Sequence, residues 1–334
     1  MPPESAAWPS PPASASLPVA WRGPLGALAL ATAVLIAVTA QSWSAMLHQW
    51  WNIDTYNHLL LVPFITAWLV GLKEEELAAL TPQPFWPGLV GVAVALGLWW
   101  VGEARGINLV AQAGAVAALQ AAVVTVLGLR VSLLLALPLA FASFLVPFGD
   151  EIIPPLQTVT AEIAIALTHW SGVPAQIEGI HIHTPAGLFI VAEACSGVKF
   201  LIAMVTLGVL LCFTRFDSWT RRVAFLAACI ILPILANGVR AWATIYVAQF
   251  IGAEQATGFD HIVYGWVFFA IVLAALLGGA WRFFEREPEA YGWHADAMAD
   301  WPLLGRAEAL RFAPTSAALA IIALAAIAAL AALL

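Results

Sequence analysis

The sequence predicts an all-α, polytopic integral membrane bundle of about eight or nine transmembrane helices, with a small extracytoplasmic cap that contains a β-hairpin. Three observations predict it. Hydrophobic residues make up 62% of the 334 residues, against about 45–50% in an ordinary soluble domain. Charged residues make up only 10%, where about 25% is usual. The apolar residues also gather in runs of bilayer-crossing length, roughly 17–25 residues, and mean hydropathy is +0.91. The same composition excludes other classes. A net charge of −7, with 13 Lys and Arg and no basic stripe, excludes a nucleic-acid binder. Three cysteines, two of them inside apolar runs, exclude a disulfide scaffold.

Taken in order, residues 1–20 are rich in Pro, Ser and Ala. They cannot build a packed core and read as a disordered cytoplasmic tail. No charged segment leads directly into the first apolar run, so this is not a signal peptide. Spans are expected at 24–43, 58–72, 85–102, 107–129, 131–148, 198–214, 223–243, 262–281 and 315–334. Residues 21–285 form one transmembrane domain, with 149–197 as its cap. Residues 286–314, which carry both charge signs, form a cytoplasmic linker to a C-terminal transmembrane helix over 315–334.

Orientation follows from the Lys/Arg bias of the loops. With the N-terminus inside, all but Arg105, Lys199 and Arg240 of the 13 cationic residues fall on the cytoplasmic side. The longest outer segment, 149–197, has no Lys or Arg but carries Asp150, Glu151, Glu162, Glu178 and Glu193. Within it, Pro154–Trp170 reads as a helix of mixed polarity, lying on the membrane or packed shallowly into it. Gln176–His183 alternates polar and apolar residues, Thr184–Gly187 is a turn signal, and Leu188–Val191 is a second apolar run. Together they predict the hairpin. Lys73–Glu76 reads as a solvated inner loop, and Asp150 with Glu151 as a marker of the water boundary.

Several unusual residues meet at the outer face in this topology. Cys195 opens the sixth span, Arg240 lies near the outer end of the seventh, His261 starts the eighth and His58 starts the second. Ionisable groups at membrane depth are costly and commonly line a site or a water-filled cavity. A Cys, an Arg and a His together have a chemical logic. A thiolate is the nucleophile, and a nearby cation favours it. Histidine acts as base and then protonates a leaving amine. Arginine keeps its proton and holds developing negative charge. The reaction class is acyl transfer through a thioester, with cleavage of a peptide bond outside the membrane. Structural roles fit the same residues singly. A Cys at a helix start packs as a small hydrophobe, a His at a span end is an interface residue, and Arg240 can snorkel to phosphate. His181 and His183 share a strand face at a spacing zinc can use, but a polar hairpin face accounts for them. The residues call for no cofactor and no metal.

Motifs at these positions resemble those of the exosortases. Val191-Ala192-Glu193-Ala194-Cys195-Ser196-Gly197-Val198 resembles the family's central motif, Asn237-Gly238-Val239-Arg240 its Asn-x-x-Arg segment, and His261 with Gly265-Trp266 its third motif. Thr55–Pro63 and Pro155-Leu156-Gln157-Thr158 extend the likeness, which runs over about 45–285. One departure is Leu59, where the pattern has Gly after the His. The resemblance implies a multi-pass protein of the bacterial inner membrane, a cysteine protease or transpeptidase whose active site faces the periplasm. Cys195 is then the nucleophile, Arg240 the stabiliser of thiolate or oxyanion, and His261 the general acid/base. His58, Glu193, Asn237 and Ser196 stand behind them as substrate-binding or supporting residues. The implied partners, besides the lipid bilayer, are membrane-anchored proteins with a C-terminal Pro-Glu-Pro sorting signal, a helix and a basic tail, and an acceptor nucleophile of unknown identity. The implied setting is protein export linked to exopolysaccharide. Some members look fused to a second extracytoplasmic domain, and the helix over 315–334 reads as the remnant of such a fusion. The rival reading is a non-enzymatic exopolysaccharide assembly or export subunit, in which Cys195 is dispensable.

Overall fold

The structure is a computed structural model that describes residues 18–258 and 263–333. The expected disorder over 1–20 thus falls almost wholly outside the described residues. So does His261.

A short 3-10 turn, Val19–Trp21, leads into α1 (Arg22–Val38) and α2 (Ala40–Asn52). A 3-10 segment, Asp54–Leu61, then runs into α3 (Val62–Gly71) and α4 (Glu74–Ala79). Next come α5 (Gly88–Arg105) and α6 (Asn108–Leu127), then two short helices, α7 (Leu129–Leu134) and α8 (Ala136–Phe141). Helix α9 (Ile153–Trp170) precedes a three-stranded antiparallel sheet of β1 (Gln176–Glu178), β2 (His181–Thr184) and β3 (Gly187–Ile190). The chain continues through α10 (Val198–Arg215), α11 (Trp219–Ile251), α12 (Ala253–Gly258) and α13 (Val263–Trp281). It closes with α14 (Ala295–Met298), α15 (Pro302–Glu308) and α16 (Pro314–Leu333).

Among the described residues six helices are long and apolar enough to cross a membrane. The number rises to eight if two bent pairs, Ala40–Asn52 with Asp54–Gly71 and Ala136–Leu145 with Asp150–Trp170, each count as one span. The polytopic helical bundle is as expected, and two details differ. The run expected as one span over 131–148 is broken at Leu135, since Pro138 has no N–H to bond to the turn before it. The expected hairpin is instead a three-stranded sheet, because Gly179-Ile180 turns the first alternating run back on itself and splits it into β1 and β2.

The chain divides into two compact units. The first comprises, of the described residues, 18–43, 65–143 and 292–333. Its core joins α1, α5, α6 and α16 through small or branched residues such as Ala31, Leu35, Ala118, Ala122, Ala317 and Ile321, all buried. Gly114 lets α6 meet α5 closely: a methyl there would stand 2.4 Å from the Trp99 backbone nitrogen. Close backbone approach is how membrane helices gain contact without a hydrophobic drive between them. The final helix is part of this packing, and Trp100 Nε1 donates to Ala331 O at 3.0 Å. Lys73 is not solvated as the sequence reading had it. Its side chain is wholly buried, with Nζ donating to Glu76 Oε1 at 2.7 Å. The chain that enters α14 supplies further partners: Trp293 O accepts from Lys73 Nζ at 3.5 Å, and Ala295 N–H donates to Glu76 Oε2 at 2.8 Å.

The second unit comprises, of the described residues, 44–64, 144–258 and 263–291. Here α9 and α10 both pack along α11, and α13 joins them. The sheet lies on α9. Ile182 of β2 is fully buried against Ala161, Ala164 and Ile245, while its neighbours His181 and His183 are exposed. This is the period-two alternation of a half-buried strand. No group of His, Cys, Asp and Glu able to hold a metal occurs among the described residues. Tyr56 donates to Asp150 Oδ1 at 2.6 Å, tying the 3-10 segment to the start of the cap.

Candidate active site

The cap returns to the bundle through a tight loop. The residues after β3 make a 3-10 turn, Glu193–Cys195, in which Cys195 N–H donates to Ala192 O at 2.8 Å and Ser196 N–H to Glu193 O at 3.0 Å. Gly197 then starts α10 with φ +82. Only glycine adopts this conformation readily, and space demands it too: a methyl at Gly197 would lie 2.8 Å from Asn237 Cγ. Ser196 is buried, and its hydroxyl accepts Val198 N–H at 3.3 Å, closing the first turn of the helix.

Two side-chain amides hold this loop at its two ends. Gln157 of α9 donates to Val191 O at 2.7 Å. Asn237 of α11 donates to Cys195 O at 2.8 Å and to Thr160 Oγ1 of α9 at 3.0 Å. Removing either amide leaves a loop carbonyl without its donor, which is costly away from water, so the two fix the backbone that carries Cys195. Asn237 was expected; Gln157 and Thr160 were not assigned roles. They lie three residues apart on one face of α9, and that pairing of polar residues in an apolar helix was the available signal.

Cys195, half-buried, opens onto a cavity of about 380 Å³. Its wall includes Asn237, Arg240, Thr244 and Ile245 of α11, Leu188–Ile190 of β3, and Glu254 of α12. Arg240 is half-buried and stands three residues, one helical turn, beyond Asn237. Cys195 and Arg240 therefore line one cavity. Glu254 was missed, since nothing in the sequence links it to the other motifs.

The third motif reaches the same place. A methyl at Gly265 of α13 would lie 3.3 Å from Arg240 Nη2, so the guanidinium rests on the glycine. Next to it, the Trp266 ring meets Phe200 edge-on at 6.5 Å, with Lys199 Nζ at 4.6 Å from its centroid. His261 itself lies outside the described residues.

Two other expected site residues, His58 and Glu193, do not line this cavity. His58 is half-buried in the 3-10 segment that packs on α10, and it is not among the residues lining the cavity. Its Nε2 is buried with no hydrogen-bond partner. Leu59, the departure from the motif, is fully buried and fills space where the pattern has Gly. Glu193 is exposed on the turn before Cys195.

Residues 50–278 match the family model of the transmembrane exosortases. The chain belongs to the transmembrane exosortase family. No curated protein and no solved structure matches it. The matched region is more than half of the chain and holds the cap, the Cys195 loop, α10, α11 and most of α13. Exosortases are membrane-embedded sorting transpeptidases in general, and the multi-pass helical architecture accords with that.

Proposed function

We propose that this exosortase is a cysteine transpeptidase that cleaves C-terminal Pro-Glu-Pro sorting signals on the periplasmic face of the inner membrane, in a setting of exopolysaccharide-linked export. The observation that carries the reading is one cavity lined by Cys195 and Arg240, with Asn237 bonded to the Cys195 carbonyl.

In this reading Cys195 passes its thiol proton to His261 and its Sγ attacks the scissile carbonyl. Arg240 stabilises the oxyanion by charge that it cannot lose. The tetrahedral species collapses to a thioester, and the amine of the departing segment takes a proton from His261, a role that rests on the motif. The acceptor nucleophile then attacks the thioester and restores the thiol. Asn237, Gln157 and Ser196 position the loop and touch no reacting atom. Lys/Arg bias supports the orientation. A signal helix with a basic tail would sit with its motif at the same outer face.

The test is an immunoblot of a tagged protein bearing such a signal, in cells with the wild-type chain or Cys195→Ala. Shortening by the wild type alone supports the reading. Equal processing by both removes it and favours a non-enzymatic assembly subunit. Substrates with and without the Pro-Glu-Pro motif give the specificity.

A further inference from the structure

The cavity has a second wall with chemistry of its own. Strand β3 is an edge of the sheet, whose order is β1-β2-β3. Thr184 and Gly187 face each other across the two-residue turn, followed by His183 with Leu188, Ile182 with Phe189 and His181 with Ile190. Pairs in an antiparallel ladder alternate between hydrogen-bonded and non-hydrogen-bonded. A two-residue turn makes Thr184–Gly187 a bonded pair, so Leu188 and Ile190 point their backbone groups away from β2. Ile190 O takes Ala192 N–H at 2.9 Å. Among the described residues, Leu188 N–H, Leu188 O and Ile190 N–H have no partner beyond the sheet.

The two edges of the sheet are built differently. The β1 edge carries Gln176 and Glu178, polar residues of the kind that discourage strand addition. The β3 edge reads Gly187-Leu188-Phe189-Ile190, with no polar side chain. Leu188 and Ile190 are about half exposed, at 50% and 52%. Unlike the β1 edge, this one borders the Cys195 cavity: Leu188, Phe189, Ile190 and Ala192 all line it. The open strand ends five residues before the nucleophile, on the loop that Gln157 and Asn237 hold fixed.

We propose that the substrate binds as an added strand on β3: an extended polypeptide segment, paired through its backbone to Leu188 and Ile190, runs along the cavity and brings its scissile carbonyl to Cys195. The proposal rests on the transpeptidase reading of the same cavity. Main-chain pairing supplies affinity, and alternate side chains of the added strand supply specificity. Those on one face meet Leu188 and Ile190, and those on the other meet Phe189 and Ile245. An edge donor and acceptor on every second residue also leaves the substrate's intervening N–H groups unused, so proline is tolerated at those positions.

Disulfide crosslinking reads the pairing directly. Leu188→Cys is placed in the Cys195→Ala chain, in cells, and a single cysteine is stepped along a tagged substrate through the residues flanking its Pro-Glu-Pro motif. Side chains opposite each other on neighbouring strands have Cβ atoms about 4.5–5.5 Å apart. Crosslink yield should therefore rise and fall several-fold with a period of two residues. Ile190→Cys should move the maximum by two residues, and Ile177→Cys on β1, 40% exposed, should give only a flat background. Yields without the period of two, or no higher than those of Ile177→Cys, overturn the proposal. Crosslinking measures binding and not cleavage. Failure of the wild type to cut the same substrate would therefore remove the transpeptidase reading while leaving the strand pairing decided on its own data.

Discussion

Helices α10 and α11 begin in two different ways, and the contrast separates what the site needs from what the bundle needs. At the start of α10 the chain is held by neutral groups of fixed direction. Asn237 donates to Cys195 O, Gln157 to Val191 O, and Gly197 turns with φ +82 against the Asn237 side chain. At the start of α11 the chain is held by charge. Glu285 Oε2 accepts Asp217 N–H at 2.7 Å and Ser218 N–H at 2.9 Å, while Arg221 pairs with its other oxygen at 2.7 Å. Arg286 with Asp217 and Arg215 with Glu287, each at 2.9 Å, complete that end. Charge pairs at an accessible surface tolerate several geometries and contribute little apiece. A buried side-chain amide bonded to two acceptors tolerates one. The cysteine end therefore trades adaptability for position, and it leaves the charge of Arg240 directed at the cavity.

The sharpest way to break the comparison is Gly197→Ala. A side chain there is strained by the left-handed conformation, at about 1–2 kcal/mol, and its Cβ would stand 2.8 Å from Asn237 Cγ. Expected is loss of more than tenfold in signal processing at matched membrane levels, with Ser218→Ala at the start of α11 close to wild type. Equal effects at the two starts would show that the directional end is not special. Next in size is Asn237→Ala. It leaves the Cys195 carbonyl and the Thr160 hydroxyl without a donor, a loss of about 1–3 kcal/mol. If that loss falls on the reacting geometry, processing slows by roughly tenfold to a hundredfold. Gln157→Ala should cost less, since it releases only the far end of the loop. A smaller effect for Asn237 than for Gln157 would place the critical restraint on the cap instead. By comparison, Glu287→Ala, which removes the exposed member of the Arg215 pair, should leave processing unchanged and lower the unfolding midpoint only slightly.

How much of this was legible in the sequence depends on the range of the signal. Apolar runs gave α5, α6, α10 and α16 to within a few residues, because hydropathy is a local property. The seventh span was read as 223–243, yet α11 continues to Ile251. Asn237, Arg240 and Gln249 look like a water boundary in a hydropathy window, while in the fold they face the cavity, Thr160 and Thr184. The Cys195, Asn237 and Arg240 motifs did converge. Which partner each would find was not readable. The Gln157 bond to Val191 joins residues 34 apart, and nothing local encodes such a pairing. Lys73 shows the same limit in reverse, a charge placed in solvent by its acidic neighbours yet buried, with Glu76 and, 220 residues away, the Trp293 carbonyl as partners. His58 was grouped with the site from its span end and its motif, and the 3-10 segment places it against α10, off the cavity wall.

The smallest expected effect sharpens the electrostatic half of the comparison through pH. The Glu285 carboxylate sits below the usual carboxylate range, first because Ser218 N–H and Asp217 N–H donate to it and then because Arg221 and Arg222 are near. A carboxyl whose folded value is depressed contributes stability that is fully present above its unfolded value, and that contribution fades as pH falls through the folded one. Glu285→Gln keeps the shape and removes the charge. The unfolding midpoint of the detergent-solubilised wild type should therefore exceed that of Glu285→Gln by a small, constant margin near neutrality. The margin should shrink towards zero once pH drops below the ordinary glutamate value of about 4.3. Asn237→Ala, which removes no titrating group, should lower the midpoint by an amount independent of pH over the same range. If the Glu285→Gln margin were equally independent of pH, α11 would be held at its start by packing and hydrogen bonds of the same neutral kind as α10, and the distinction between the two helix starts would fall.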